Sequence, residues 1–157
     1  MTSIKITQRN LPHWEINGAV YFITFKTWQR QKLTPLARQI VFDACQFFNN
    51  QRYRLFVLVV MPDHVHLLMQ PLAKSAQEYW SLSSIMHSIK SYSAKQILKV
   101  MPDINKVWQS ESYDHIIRNQ RELIAIWKYI RQNPVKAQLS DTPETYPFFW
   151  QVLYNNY

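Results

Sequence analysis

RYRLFVLVVMPDHVHLLMQ, residues 52–70, decides the fold. Residues 52–60 are a run of β-branched, aromatic and aliphatic side chains, and read as a strand. Met61-Pro62-Asp63 reads as a turn. Residues 64–70 then form a second strand, so 52–70 is a β-hairpin. Side chains alternate along a strand, so His64 and His66 leave the same face as Leu68 and Gln70. Val65, Leu67 and Met69 take the other face, the one expected to meet the core.

Working outward from the hairpin, residues 19–28, AVYFITFKTW, read as a preceding strand. Thr34-Pro35 is an N-cap followed by proline at the first helical position. Ala37, Ile40, Val41, Ala44, Cys45 and Phe48 recur behind it at helical spacing. On the other side of the hairpin, a long helix is expected over Gln77 to Val100, with Leu82, Ile85, Met86 and Ile89 as its apolar stripe. Residues 112–118, SYDHIIR, suggest a fourth strand. Asn119 with Glu122 three residues on resembles a capping box. Leu123, Ile126, Trp127 and Ile130 give the i, i+3, i+4, i+7 pattern of a last helix, which Pro134 is expected to end. The order predicts an α+β fold: a ferredoxin-like β-α-β-β-α-β antiparallel sheet with helices on one face, plus an appended C-terminal helix. With no repeat or flexible linker, residues 1–157 read as one domain.

Composition narrows the functional classes. The 18 Lys and Arg against 10 Asp and Glu leave a net charge of +8, which favours an anionic partner, nucleic acid before membrane. Aromatics at 15% can stack on bases as well as pack a core. Gly18 is the only glycine. That excludes glycine-rich phosphate loops, and it excludes the glycine-aromatic signature of RNA-recognition domains, which share this strand order. One cysteine, Cys45, excludes an intramolecular disulfide and a cysteine-rich zinc site. The start of the chain lacks the apolar stretch of a secretory signal. The longest apolar run, Leu55 to Met61, is too short to span a bilayer. The cytoplasm is the expected location.

Two strand residues and one helix carry the candidate chemistry. Two neutral imidazoles on one strand face, His64 and His66, can converge on a divalent cation. The plainer alternative is a pair of surface or hydrogen-bonded histidines. Asp63 is a weaker ligand candidate. Tyr129 and Asn133, four residues apart, share a face of the last helix at the edge of its apolar stripe. Asn133 can offer a carbonyl oxygen to Mg²⁺ or Mn²⁺. Spacing alone does not single out Tyr129 among nine tyrosines. A nucleotide hydrolase using strand histidines in triplicate is disfavoured, because Leu68 stands where the third histidine belongs.

The runs MPDHVHLLMQP (61–71), IMHSIKSYSAK (85–95), VWQSESYDHIIRN (107–119) and YIRQNPVKA (129–137), in this order, resemble the tyrosine transposases of the HUH superfamily. They resemble above all its REP-associated branch, related to the single-strand insertion-sequence transposases. The resemblance runs from about the first strand to Ala137. It implies that His64 and His66 hold a divalent metal, Mg²⁺ or Mn²⁺. It implies that Tyr129, in a Tyr-Ile-x-x-Asn-Pro context, is the nucleophile, and that Asn133 completes the metal shell. Many relatives of the insertion-sequence branch carry glutamine there, so Asn133 departs from that pattern. The segment with Tyr113 and His115 falls beside the active site in the family, which makes both residues supporting candidates. His115 orients a ligand or the phosphate, or serves the fold. Tyr113 is the alternative nucleophile.

The implied activity is metal-dependent cutting and rejoining of single-stranded DNA beside a palindromic hairpin, through a 5′-phosphotyrosine. The rival reading is a transposase-derived, non-catalytic DNA-binding regulator. Lys90, Lys95, Lys99, Arg118, Lys128, Arg131 and Lys136 lie in or beside the motif segments and are candidate phosphate contacts, with Lys90, Arg118 and Arg131 preferred. The stretch Arg9 to Trp14 is a candidate for reading bases. The expected assembly is a monomer or a homodimer, with Tyr129 serving its own chain or a partner's.

Overall fold

The computed structural model describes residues 4–7 and 13–152, with only the backbone traced for 4–7 and 13–16. The strand β1 (Ile4–Thr7) pairs antiparallel with β2 (His13–Ile16). The main sheet uses β3 (Tyr21–Thr27), β4 (Tyr53–Val60), β5 (His64–Pro71), β6 (Trp108–Ile116) and β7 (Phe149–Gln151). Its order is β6-β3-β5-β4-β7, with every neighbouring pair antiparallel. Helix α1 (Pro35–Phe47) joins β3 to β4, and α2 (Leu82–Val100) joins β5 to β6. Helix α3 (Gln120–Lys136) follows β6. The four strands β3, β4, β5 and β6 thus give the ferredoxin-like arrangement, and α3 is the appended helix.

Register separates the two faces of the sheet. Phe25 stands opposite Val65, Ile23 opposite Leu67, and Tyr21 opposite Met69, all six on one face. These side chains are essentially inaccessible. Helices α1 and α2 pack side by side over them, with Val41 and Cys45 from α1 and Ile85, Ile89 and Ile97 from α2. Trp108 of β6 lies edge-on to Phe25 and donates from Nε1 to Ser93 Oγ of α2 at 3.0 Å. The opposite face receives α3, whose Trp127 and Ile130 cover β4 and the adjoining part of β5.

Local chemistry sets the helix ends. The Thr34 hydroxyl accepts from Ala37 N, and Pro35 occupies the first turn, as the sequence predicts. Asn119 accepts from Glu122 N, while Glu122 reaches back to Arg118 N. A side-chain cap of this kind contributes about 1 kcal/mol.

Three boundaries differ from expectation. Helix α2 starts at Leu82 rather than Gln77, because Trp80 N bonds Leu72 O and Ser81 is the cap. The fourth strand begins at Trp108 and ends at Ile116, four residues earlier than expected at its start and two at its end. Its polar first half is an edge strand, which carries no alternating apolar signal. Pro134 does not end α3, which continues to Lys136. The missing amide of a proline costs least in the last turn, and its ring is buried there. Among the described residues, no helix is long and apolar enough to cross a membrane.

Candidate active site

The site forms where β3 and β5 pass beneath α3. His64 is opposite Lys26, and His66 is opposite Thr24, so all four share the face turned towards α3. From α3, Tyr129 brings its ring to 5.4 Å from that of His66, edge-on. Asn133, one turn later, places Oδ1 at 3.2 Å from His64 Nε2. The two imidazole rings lie 4.7 Å apart. One chain therefore brings together the four residues that carry the candidate chemistry: His64, His66, Tyr129 and Asn133.

Each histidine is oriented through its Nδ1. His64 Nδ1 lies 2.7 Å from Asp63 Oδ1, and Asp63 is itself held by Arg30. His66 Nδ1 lies 2.7 Å from Thr24 Oγ1 in a buried hydrogen bond. In the neutral tautomer in which Nδ1 carries the proton and donates to these oxygens, Nε2 keeps its lone pair. Ligating histidines are commonly fixed in this way, by a carboxylate or hydroxyl on the other nitrogen. Burial pushes the His66 pKa down to about 3, helped by the nearby His64 and Lys26. His66 is therefore neutral, the form that binds metals. Burial acts against Asp63 ionisation, but hydrogen bonds from His64 and Arg30 outweigh it and keep the carboxyl below its usual range.

The donor set fits a small divalent ion. With His64 Nδ1 protonated, Nε2 and the amide oxygen of Asn133 present two lone pairs to each other, an arrangement that a cation between them satisfies. In an octahedral shell with bonds of about 2.0–2.1 Å, neighbouring donors stand about 3 Å apart, close to the observed separation. Among the described residues, no cluster of three or more His, Cys, Asp or Glu is poised around a metal. Two imidazoles and one amide would hold such an ion and would leave positions for substrate or water. Asp63 engages Nδ1 of His64 and acts through that ring instead of facing Asn133.

The supporting candidates separate. His115 hydrogen-bonds Glu122 and ties β6 to the first turn of α3. Tyr113 is opposite Thr24, with its ring against Phe22 and 58% exposed.

The expected DNA contacts do not gather at the site. Lys90 reaches across to the backbone oxygens of Gln109 and Ser110 and the hydroxyl of Ser112, on the α1–α2 face. Lys95 and Lys99 lie exposed on the same helix, α2. Arg131 is taken by Gln151 and Glu144, away from Tyr129. Arg118, Lys128 and Lys136 are exposed, before, on and at the end of α3. The Arg9 to Trp14 stretch lies outside the described side chains. Sequence reasoning missed Phe22, Thr24, Lys26 and Arg30. The alternation FITFK places Phe22, Thr24 and Lys26 on one face, but only the pairing of β3 with β5 reveals that this face holds the histidines.

The sheet and this cluster describe a small α+β protein with a helix-borne tyrosine beside paired strand histidines. Comparison with known proteins agrees. The family model described as "Transposase IS200 like" matches residues 21–133, and the chain belongs to that family of DNA-processing proteins. It is 26% identical, over 83% of its length and 78% of the other's, to a Haemophilus influenzae protein classed as a REP-associated tyrosine transposase. Its fold is similar to that of a REP-associated tyrosine transposase bound to a REP hairpin, with TM-score 0.70, 24% identity and coverage of 90% and 82% of the two chains. A protein from Deinococcus radiodurans R1, classed as a transposase, gives TM-score 0.52 at 19% identity, over 79% of this chain and 94% of that one.

Proposed function

We propose that this transposase cuts and rejoins single-stranded DNA beside a hairpin, with Tyr129 as nucleophile and Mg²⁺ or Mn²⁺ held by His64, His66 and Asn133. The observation that carries the reading is the convergence, within one chain, of the Tyr129 ring on His66 and of Asn133 Oδ1 on His64 Nε2. Hairpin DNA as substrate class comes from the structural relative bound to a REP hairpin. An ion held there by His64, His66 and Asn133 would supply Lewis-acid polarisation of the scissile phosphate.

The protein's own residues do the rest. Thr24 and Asp63 hold the imidazoles through Nδ1, and His64 Nε2 faces Asn133. Tyr129, about half exposed, is open to an incoming strand. Its oxygen attacks phosphorus, the bond from phosphorus to the 3′ oxygen breaks, and a 5′-phosphotyrosine forms with a free 3′-OH. The phenol proton is lost as the departing oxygen gains one. The phosphodiester energy stays in the new bond, so a second 3′-OH reverses the step without ATP.

The test is a denaturing-gel assay on single-stranded hairpin oligonucleotides drawn from the DNA around the gene, with Mg²⁺ or EDTA. Wild-type protein is expected to give a metal-dependent covalent adduct, lost in Tyr129→Phe and in His64→Ala. An adduct that persists in Tyr129→Phe and disappears in Tyr113→Phe would move the nucleophile to Tyr113. Binding without cleavage by the wild type would favour the regulator reading.

A further inference from the structure

Helix α3 covers only part of the face that carries the histidines. It packs over β4 and β5, while β3 and β6 present Tyr113 and Lys26 to solvent on that same face. Lys26 stands beside His64, and Tyr113 stands beyond Thr24 from His66, two strands away. Neighbouring strands are about 4.8 Å apart, so the Tyr113 and His66 backbones are separated by about 10 Å. Phe22 is the hub between them. Its ring is stacked on His66 at 5.6 Å and edge-on to Tyr113 at 6.1 Å and to Tyr129 at 6.2 Å.

An exposed tyrosine buttressed by a second ring, with a lysine one row away, suits a nucleotide. Every base has a π-face that stacks on such a ring regardless of sequence, and the ammonium complements its phosphate. No described carboxylate forms an ion pair with Lys26. We propose that Tyr113, Phe22 and Lys26 form a subsite for the nucleotide flanking the scissile phosphate, its base lying on Tyr113 and its phosphate paired with Lys26. This rests on the reading above that DNA is cut at the histidine pair. It assigns Tyr113 a binding role, distinct from attack on phosphorus.

The experiment uses the full chain carrying Tyr129→Phe, so that binding is read without cleavage. The probes are fluorescent hairpin oligonucleotides with a single-stranded flank, intact or carrying one abasic site at each flank position in turn. Adding Tyr113→Ala is expected to weaken binding of the intact probe about 5- to 150-fold. That loss should vanish on one abasic probe and persist on the others. Tyr113→Phe should restore most of the lost affinity, because it keeps the ring. Lys26→Gln should make the salt dependence shallower by about one phosphate contact, a slope change of about 0.7. An unchanged affinity in Tyr113→Ala, or the same loss on every abasic probe, would overturn the subsite. The wild-type adduct reads the parent proposal separately. Adduct without a position-specific loss rejects only the subsite, and a position-specific loss without adduct rejects only the covalent chemistry.

Discussion

The two faces of one strand pair do opposite work. On the face under α1 and α2, Val65, Leu67 and Met69 meet Phe25, Ile23 and Tyr21, all buried. On the other face, one residue out of step along the same strands, His64 and His66 meet Lys26 and Thr24 beneath α3. A slip of one residue would exchange the faces, burying two imidazoles in the core and exposing its aliphatic side chains. The apolar face therefore fixes the register, and the register positions the histidines. Stability and chemistry are carried by alternate residues of the same segment.

The comparison is broken most directly by opposite substitutions. Tyr129→Phe is expected to reduce adduct formation to background while leaving the melting temperature unchanged, since its hydroxyl lies on a half-exposed side chain. Gel assay and thermal melt on the same preparation check both halves. Leu67→Ala should do the reverse. It should cost about 2–5 kcal/mol in urea unfolding, because the side chain is 1% exposed, while the protein that remains folded still forms the adduct of the proposed reaction.

Thr24→Val sharpens the contrast within the site face. It removes the hydroxyl that fixes His66 Nδ1, and Mn²⁺ affinity by titration calorimetry should fall about 10- to 100-fold with the fold intact. Equal affinity would show that packing alone orients the ring.

His66 also predicts a pH dependence of stability. Its folded pKa of about 3, lowered mainly by burial, lies below the ordinary histidine value. Below about pH 6.5 the unfolded chain takes up a proton that the folded chain does not. Stability therefore falls as pH drops from there towards 3, by up to about 1.4 kcal/mol per unit from this group. In metal-free buffer, His66→Gln should make that limb shallower. The smallest effect is expected at the edge of the site, where Asn119→Ala removes the cap of α3 and should cost about 1 kcal/mol in denaturant unfolding.

Much of this was legible in the residues themselves. A run of β-branched residues, the Met61-Pro62-Asp63 turn and strict alternation fixed the hairpin and put both histidines on one side. Thr34-Pro35 and Asn119 with Glu122 marked two helix starts, because capping is a local hydrogen-bonding problem. Local signals failed where partners are distant. The polar start of β6 is a strand because β3 lies beside it, and β7 exists because β4 offers an open edge. Helix α2 starts late because Leu72 captures Trp80.

The sequence by itself determined the succession of β3, α1, β4, β5, α2, β6 and α3, the face of the histidine pair, and the family to which its motifs belong. Tertiary structure alone decided that α3 crosses to the histidine face and sets Tyr129 and Asn133 over the pair. It also decided that Thr24 and Asp63 steer the imidazoles, and that Lys90 and Arg131 are spent on other contacts. The physical reason is range: alternation and capping act between near neighbours in sequence, whereas the site is assembled from β3, β5 and α3, which meet only when the sheet has closed.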